Sequence, residues 1–307
     1  MEKGMNVTVF GGAGFLGSHV ADELSKRGYK VRIYDRISSP YLKSGQEMVV
    51  GDILDEKRVE QAVKDADIVY NFIAIADLDE AEVSAIETTR VNVLGNVIIL
   101  EACRKAKVKH YIFSSSIYVY SDAGSFYRCS KQSSEIFIEN YQKVYGLEYT
   151  ILRYGSLYGP RSDETNWIYK MLKEALTEKM IIRQGDGEEM REYIHVHDAA
   201  RLSLEVLKPD YRNKNVIIAG REQIKIKDLL TMVREILKSQ VEIKYIPTKD
   251  KMHYEITPYV FTPKLAVKIH SNEHIDLGQG ILDMLSHLHA AYMDKPVVPI
   301  QISKHDT

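Results

Sequence analysis

The chain has 307 residues, 45% of them apolar, enough to fill one large α/β domain or a domain with a smaller lobe, and it should fold alone. Its 41 basic against 43 acidic residues leave a net charge of −2, which excludes a general electrostatic pull toward nucleic acid or an anionic membrane, so any polyanionic ligand must be held locally. The two cysteines, Cys103 and Cys129, lack metal-ligand or redox-pair spacing and suit a reducing cytoplasm, and the apolar run at 7–10 is far too short for a signal peptide or membrane span.

Through residue 155, short β-branched runs alternate with longer amphipathic stretches, the pattern of βαβ units that build a parallel sheet. Strands are expected near 5–10, 30–34, 48–50, 67–73, 109–114 and 148–152, with helices near 14–27, 55–64, 86–106 and 127–145 between them. The second half is more mixed. Helices are expected at 165–178 and 197–207, a strand at 215–219, and helices near 226–239 and 278–292.

The first strand runs into Gly11-Gly12-Ala13-Gly14-Phe15-Leu16-Gly17 and then an amphipathic helix. Glycines there let the backbone turn tightly and approach a pyrophosphate, while the helix start offers free N–H groups and a positive dipole end. The second strand ends in Tyr34-Asp35-Arg36. A carboxylate about 20 residues past such a turn is what a ribose diol needs, and Asp35 would repel a 2′-phosphate, which favours NAD over NADP. Arg36 works against that preference, since a guanidinium could receive the phosphate. Asp52 and Ile53 follow the third strand, where they could flank adenine or simply form a turn.

Further along stand Ser114-Ser115-Ser116, Tyr127-Arg128-Cys129-Ser130-Lys131, Leu152-Arg153-Tyr154, Tyr158-Gly159-Pro160-Arg161 and Arg191-Glu192-Tyr193-Ile194-His195-Val196. With Gly11-x-x-Gly14-x-x-Gly17 before them, these motifs in this order resemble the NAD-dependent epimerase/dehydratase family, the extended short-chain dehydrogenases, over roughly residues 5–205. The resemblance implies a Rossmann-type doubly wound parallel sheet with a smaller C-terminal substrate-binding lobe. Residues 1–155 and about 194–220 would form the NAD domain, about 156–193 and 221–295 the lobe, and 296–307, with Pro296 and Pro299, a tail.

It also implies NAD as cofactor, a nucleotide-diphosphate sugar as substrate, and Ser116, Tyr127 and Lys131 as the catalytic set. The residues agree on their own terms. Tyr127 and Lys131, four apart on one helix face, can meet one site, and an ammonium beside the phenol would draw its pKa from about 10 toward neutrality. Ser116, at the carboxyl end of a parallel strand, could orient the reacting hydroxyl. Phe15, Leu16, Ala74, Ser114 and Tyr154 complete the implied cofactor contacts, Tyr154 packing beside nicotinamide, and Ser156, Asn166 and Arg191 the substrate contacts, Arg191 on the diphosphate. Asn166 could equally cap the helix that follows.

The family's 4,6-dehydratases place Asp-Glu directly after the catalytic Ser/Thr, and its sugar-acid decarboxylases usually have glutamate at the second position. Here Ile117 and Tyr118 stand there, which disfavours dehydration and leaves 4-epimerisation ahead of keto-reduction or decarboxylation. Only six residues, 121–126, separate Tyr120 from Tyr127, shorter than in most sugar-nucleotide epimerases, so one pocket wall is missing or remade. The usual second diphosphate arginine is absent, so Lys251 or His253 would have to serve, or the substrate differs. His195-x-His197-Asp198 reads as a strand running into a helix, without a fourth ligand for a metal. Helices 86–106 and 127–145 carry apolar faces of the sort this family uses in a four-helix homodimer interface. The rival from another class is a non-catalytic NAD sensor or scaffold on the same fold.

Overall fold

A computed structural model describes residues 4–221, 223–238 and 240–247. Every described residue lies in one compact unit, Met1–Thr262. The helix expected near 278–292, the 296–307 tail, and Lys251 and His253 fall outside the described residues.

In chain order the elements are β1 (Asn6–Phe10), α1 (Phe15–Lys26), β2 (Lys30–Asp35), β3 (Glu47–Val50), α2 (Glu56–Val63), β4 (Ile68–Asn71), α3 (Leu78–Val83), α4 (Ala85–Thr89), α5 (Gly95–Ala106), β5 (His110–Ser116), α6 (Ser125–Tyr145), β6 (Tyr149–Tyr154), β7 (Ser156–Tyr158), α7 (Trp167–Thr177), β8 (Met180–Gln184), β9 (Met190–His195), α8 (Val196–Glu205), β10 (Lys214–Ile218), β11 (Gln223–Lys225), α9 (Ile226–Ile236) and β12 (Glu242–Ile246). Seven of the strands form a parallel sheet in the order β10-β6-β5-β4-β1-β2-β3. The chain starts at the interior strand β1, builds outward to β3, then returns across β4, β5 and β6 to β10. That reversal is the switch point where such sheets bind ligands beyond their carboxyl ends.

Alternation along the strands sorts side chains into two layers. Val7 and Val9 of β1, Ile112 of β5, and Leu152 and Tyr154 of β6 join a core with α1 and α8. Phe10, Tyr111, Phe113 and Ile151 join a second core with α2, α5 and α6. Arg153, between Leu152 and Tyr154, therefore points to the α6 side, a placement that matters below. A third cluster unites Met171 and Ala175 of α7, Ile181 of β8 and Leu230 and Val233 of α9 beside the small sheets β11-β9-β7 and β12-β8.

One expected element is divided. The helix expected at 86–106 is α4, a π-helical turn over Arg90–Leu94, and then α5. The turn has a tertiary cause: Asn92, 3% exposed, receives the Ile75 N–H at 2.8 Å and donates to the Ile75 carbonyl at 3.0 Å, so the helix yields to present that amide.

Candidate active site

The glycine-rich turn is built by steric exclusion. Gly11 lies in the left-handed region at φ 77°, and a Cβ there would come within 2.9 Å of the Ile73 nitrogen. A Cβ on Gly17 would stand 2.2 Å from the Gly11 carbonyl oxygen, so only glycine lets α1 approach the turn this closely. Gly14 is exposed at the N-cap of α1, and no side chain caps the helix. The first-turn amides of Phe15, Leu16 and Gly17 have no intrahelical acceptor and stand at the positive end of the helix dipole, a cradle that fits a pyrophosphate.

Asp35, at the end of β2, does two things. Its Oδ2 receives the Ala13 N–H at 3.0 Å, which braces the turn, and it stands half-buried beside that turn with Arg36 exposed next to it. Asp52 is exposed and accepts the Leu54 N–H at 2.8 Å, while the Asp52 carbonyl receives the Tyr34 hydroxyl at 2.7 Å. Ile53 is buried against Gly95, largely a packing residue. Ala74 lies half-buried in the segment after β4 that Asn92 fastens.

At the carboxyl end of β5 the structure brings Ser116, Tyr127 and Lys131 together. The Ser116 hydroxyl lies near enough to the Tyr127 phenol to favour its ionised form. Lys131, 2% exposed, donates from Nζ to the Ser114 carbonyl at 2.6 Å, and Nζ lies 5.6 Å from the centre of the Tyr127 ring and 4.8 Å from that of Phe113. Tyr118 sets its ring edge-on to Tyr127, centroids 6.3 Å apart. The short connection is tightened by Gly124, at φ 96°, where a Cβ would strike the Tyr118 ring at 2.6 Å, and by Arg128, which donates to the Ser121 carbonyl at 2.6 Å.

The electrostatics correct one expectation. Burial pushes the Tyr127 phenol up to about 12, opposed by the Ser116 hydroxyl, and burial brings Lys131 down to about 7, opposed by the Glu135 carboxylate. The ammonium does not draw the phenol toward neutrality in this arrangement. Both ions would lose hydration, and that cost exceeds their mutual attraction.

Asn92 belongs to this site although its sequence context gave no sign of it. Besides holding Ile75, its Nδ2 donates to Ser130 Oγ at 2.9 Å, and Ser130 donates in turn to the Tyr127 carbonyl at 2.7 Å. The loop after β4 and the helix carrying Tyr127 and Lys131 are thereby fixed to one another. The π-helical turn is the available signal, and it is visible only in three dimensions.

The other expected residues are placed differently. Tyr154 is 4% exposed, and its phenol shares a 2.6 Å hydrogen bond with Ser203 Oγ on α8. Its ring belongs to the α1/α8 core. Asn166 caps α7, accepting from the Tyr169 N–H at 3.2 Å and donating to the Leu157 carbonyl at 2.9 Å. Arg191 is buried in β9, with Nη1 on the Met190 carbonyl at 2.9 Å, and is not displayed as an open fork. Ser156 opens β7 opposite Tyr193. His195 caps α8, accepting the His197 N–H at 3.3 Å, and no group of three potential ligands that could hold a metal occurs among the described residues.

A glycine turn feeding a helix at the switch point of a parallel sheet, with a Ser-Tyr-Lys set one strand beyond, defines a dinucleotide-dependent oxidoreductase-type enzyme fold. Residues 7–220 match the NAD dependent epimerase/dehydratase family, and the chain belongs to that family of enzymes. It is 29% identical over 296 residues to a putative UDP-glucose 4-epimerase of Methanocaldococcus jannaschii, covering 90% of this chain and 95% of that one. It is 27% identical to a UDP-N-acetyl-alpha-D-glucosaminuronate decarboxylase of Bacillus cytotoxicus, over 80% of this chain and 84% of the relative. Among solved structures, the UDP-glucose 4-epimerase of Thermotoga maritima with UDP-glucose superposes with a TM-score of 0.77 at 28% identity, covering 84% and 90% of the two chains. The Thermus thermophilus enzyme in complex with NAD gives 0.76 at 25% identity, covering 86% and 95%.

Proposed function

We propose that this protein is an NAD-dependent nucleotide-sugar epimerase acting at sugar C4 through a transient keto intermediate. The observation that carries the reading is the grouping of Ser116, Tyr127 and the buried Lys131 at the carboxyl end of β5, across β4 from the glycine cradle that follows β1. Phe15, Leu16 and Gly17 would hold the NAD pyrophosphate through their amides, Asp35 the adenosine ribose, and Lys131 the nicotinamide ribose. When bound, NAD supplies the hydride acceptor.

Ser116 would orient the C4 hydroxyl, and Tyr127, once ionised, would take its proton; after the sugar turns over, Tyr127 would return that proton. The oxidised cofactor would be restored within each cycle, so no added reductant is consumed. Ile117 and Tyr118, where dehydration would need a carboxylate pair, support epimerisation over elimination, and Tyr118 likewise argues against decarboxylation.

The substrate lobe we assign to residues 156–193 and 221–295, and the NAD domain to 1–155 with 194–220. Arg191 and Ser156 remain the proposed diphosphate and substrate contacts, and Arg191 would have to turn from the Met190 carbonyl to reach the ligand. A homodimer through 86–106 and 127–145 is supported by apolar side chains left exposed there, among them Leu94, Ile136, Phe137 and Val144. A reducing, cytoplasmic setting is supported by Cys103 and Cys129, both free. Among the described residues no helix is long and apolar enough to cross a membrane.

The test is incubation of the purified protein with UDP-, GDP-, CDP- and dTDP-sugars and separation of the products. C4 epimers formed without added reductant are expected. Conversion only with NADH would make it a reductase, loss of carbon dioxide a decarboxylase, and bound NAD with no conversion a sensor.

A further inference from the structure

Below the catalytic set lies a buried charge pair that catalysis as described leaves unused. Glu135, 6% exposed, sits one helical turn beyond Lys131, on the same face of α6 as Tyr127 and Lys131. Its Oε2 receives Arg153 Nη2 at 2.6 Å, and its Oε1 receives Arg153 Nε at 3.1 Å and the Ser115 hydroxyl at 2.5 Å. Arg153 also donates to the Tyr120 hydroxyl, with its guanidinium 4.7 Å from the centre of that ring. One carboxylate therefore joins α6, β5, β6 and the turn after Ser116.

Stability alone is a poor explanation for such a pair. Taking two ions out of water costs several kcal/mol each, and apolar residues of similar volume are often as good or better. The neighbours of Lys131 suggest what the charge is for. From β5 it meets the Ser114 carbonyl and the Phe113 ring, and on its own helix Tyr127 and Glu135. Arg153 from β6 and Tyr120 from the turn reach this group through Glu135. Of these, Glu135 is the anion acting on Lys131, and it opposes the burial that would strip the lysine of its proton.

We propose that Glu135 is a positioning residue of the active site, whose carboxylate both fastens the Ser115–Ser116 strand end to α6 and supplies the negative charge that balances the Lys131 ammonium. Arg153 holds that carboxylate in place. The assignment rests on the Ser116, Tyr127 and Lys131 reading given above, and it goes beyond that reading by naming what keeps the buried lysine charged.

Glu135→Gln keeps the hydrogen-bonding shape and removes the charge. The titration of Lys131 is followed in the full chain by the carbon-13 resonance of labelled lysine ε-carbons, assigned by its loss in Lys131→Met. A downward move of the Lys131 midpoint by about one pH unit is expected in Glu135→Gln, as for removal of a nearby opposite charge. Glu135→Asp should return the midpoint to within a few tenths. The alkaline limb of the turnover profile should shift in the same direction.

Should Glu135→Gln fail to fold, Glu135→Gln with Arg153→Gln removes the guanidinium that the single change leaves without its carboxylate, and a smaller downward move is expected. An unmoved Lys131 midpoint in a folded variant overturns the proposal. Tyr127→Phe separates the two levels: if it leaves turnover intact, the catalytic reading fails. If it abolishes turnover while Glu135→Gln leaves both midpoint and profile unchanged, only the role of Glu135 fails.

Discussion

The cofactor end and the substrate end of this molecule are made from different material. At the cofactor end the proposed functional groups are mostly backbone: the α1 amides, a turn that excludes side chains at Gly11 and Gly17, and the ends of strands interior to a seven-stranded parallel sheet. At the substrate end they are side chains that already have structural partners. Arg191 lies on the Met190 carbonyl, Asn166 caps α7, and Ser156 opens a strand of three residues. On the proposed assignments, cofactor recognition is built into the fold, while substrate recognition has to be released from it.

That contrast is sharpened first at Lys131, the side chain proposed to hold the nicotinamide ribose. Lys131→Met should lower turnover by at least about 100-fold, the lower range for loss of a group that supports proton transfer. The same variant has a signature in stability. With Lys131 near 7 in the folded chain and 10.5 in the unfolded one, the unfolded chain binds the additional proton between those values, so the wild type gains stability as pH rises through that window. The slope contributed by this group is at most about 1.4 kcal/mol per pH unit, and Lys131→Met should flatten it in urea unfolding series.

Gly17→Ala strikes the backbone itself. Forcing a methyl group toward the Gly11 carbonyl should cost about 1–3 kcal/mol and release NAD, measured by thermal unfolding and by the nucleotide freed on denaturation. At the other end, Asn166→Ala should cost about 1 kcal/mol, as for loss of a helix cap, and leave NAD retention unchanged. Equal loss of NAD in the two variants would break the contrast.

Legibility in the sequence follows the same division. The strands and helices that frame the cofactor site, its glycine turn, and the residues Ser116, Tyr127 and Lys131 are readable because their signals are local: β-branched runs, a strand-to-helix glycine motif and a four-residue helical spacing. The π-helical turn at Arg90–Leu94 is not readable, because it arises from Asn92 reaching Ile75, 17 residues away. Neither are β7 and β11, three residues each and too short to show a period. Tyr154 and Arg191 illustrate a further limit. A motif states which residue stands at a strand position, but the layer into which it points is decided by sheet register and by partners such as Ser203 and Met190. The depression of Lys131 is likewise set by burial, which composition cannot reveal.

The account stands most directly on Tyr127. Mixing the NAD-loaded protein with an accepted nucleotide sugar in a single turnover, and following the near-ultraviolet absorbance of reduced nicotinamide, reports hydride transfer itself. Wild type should show the reduced cofactor rise and decay, and Tyr127→Phe should slow the rise by about 100- to 10,000-fold while still binding NAD. A rise of equal rate in the two proteins would contradict it.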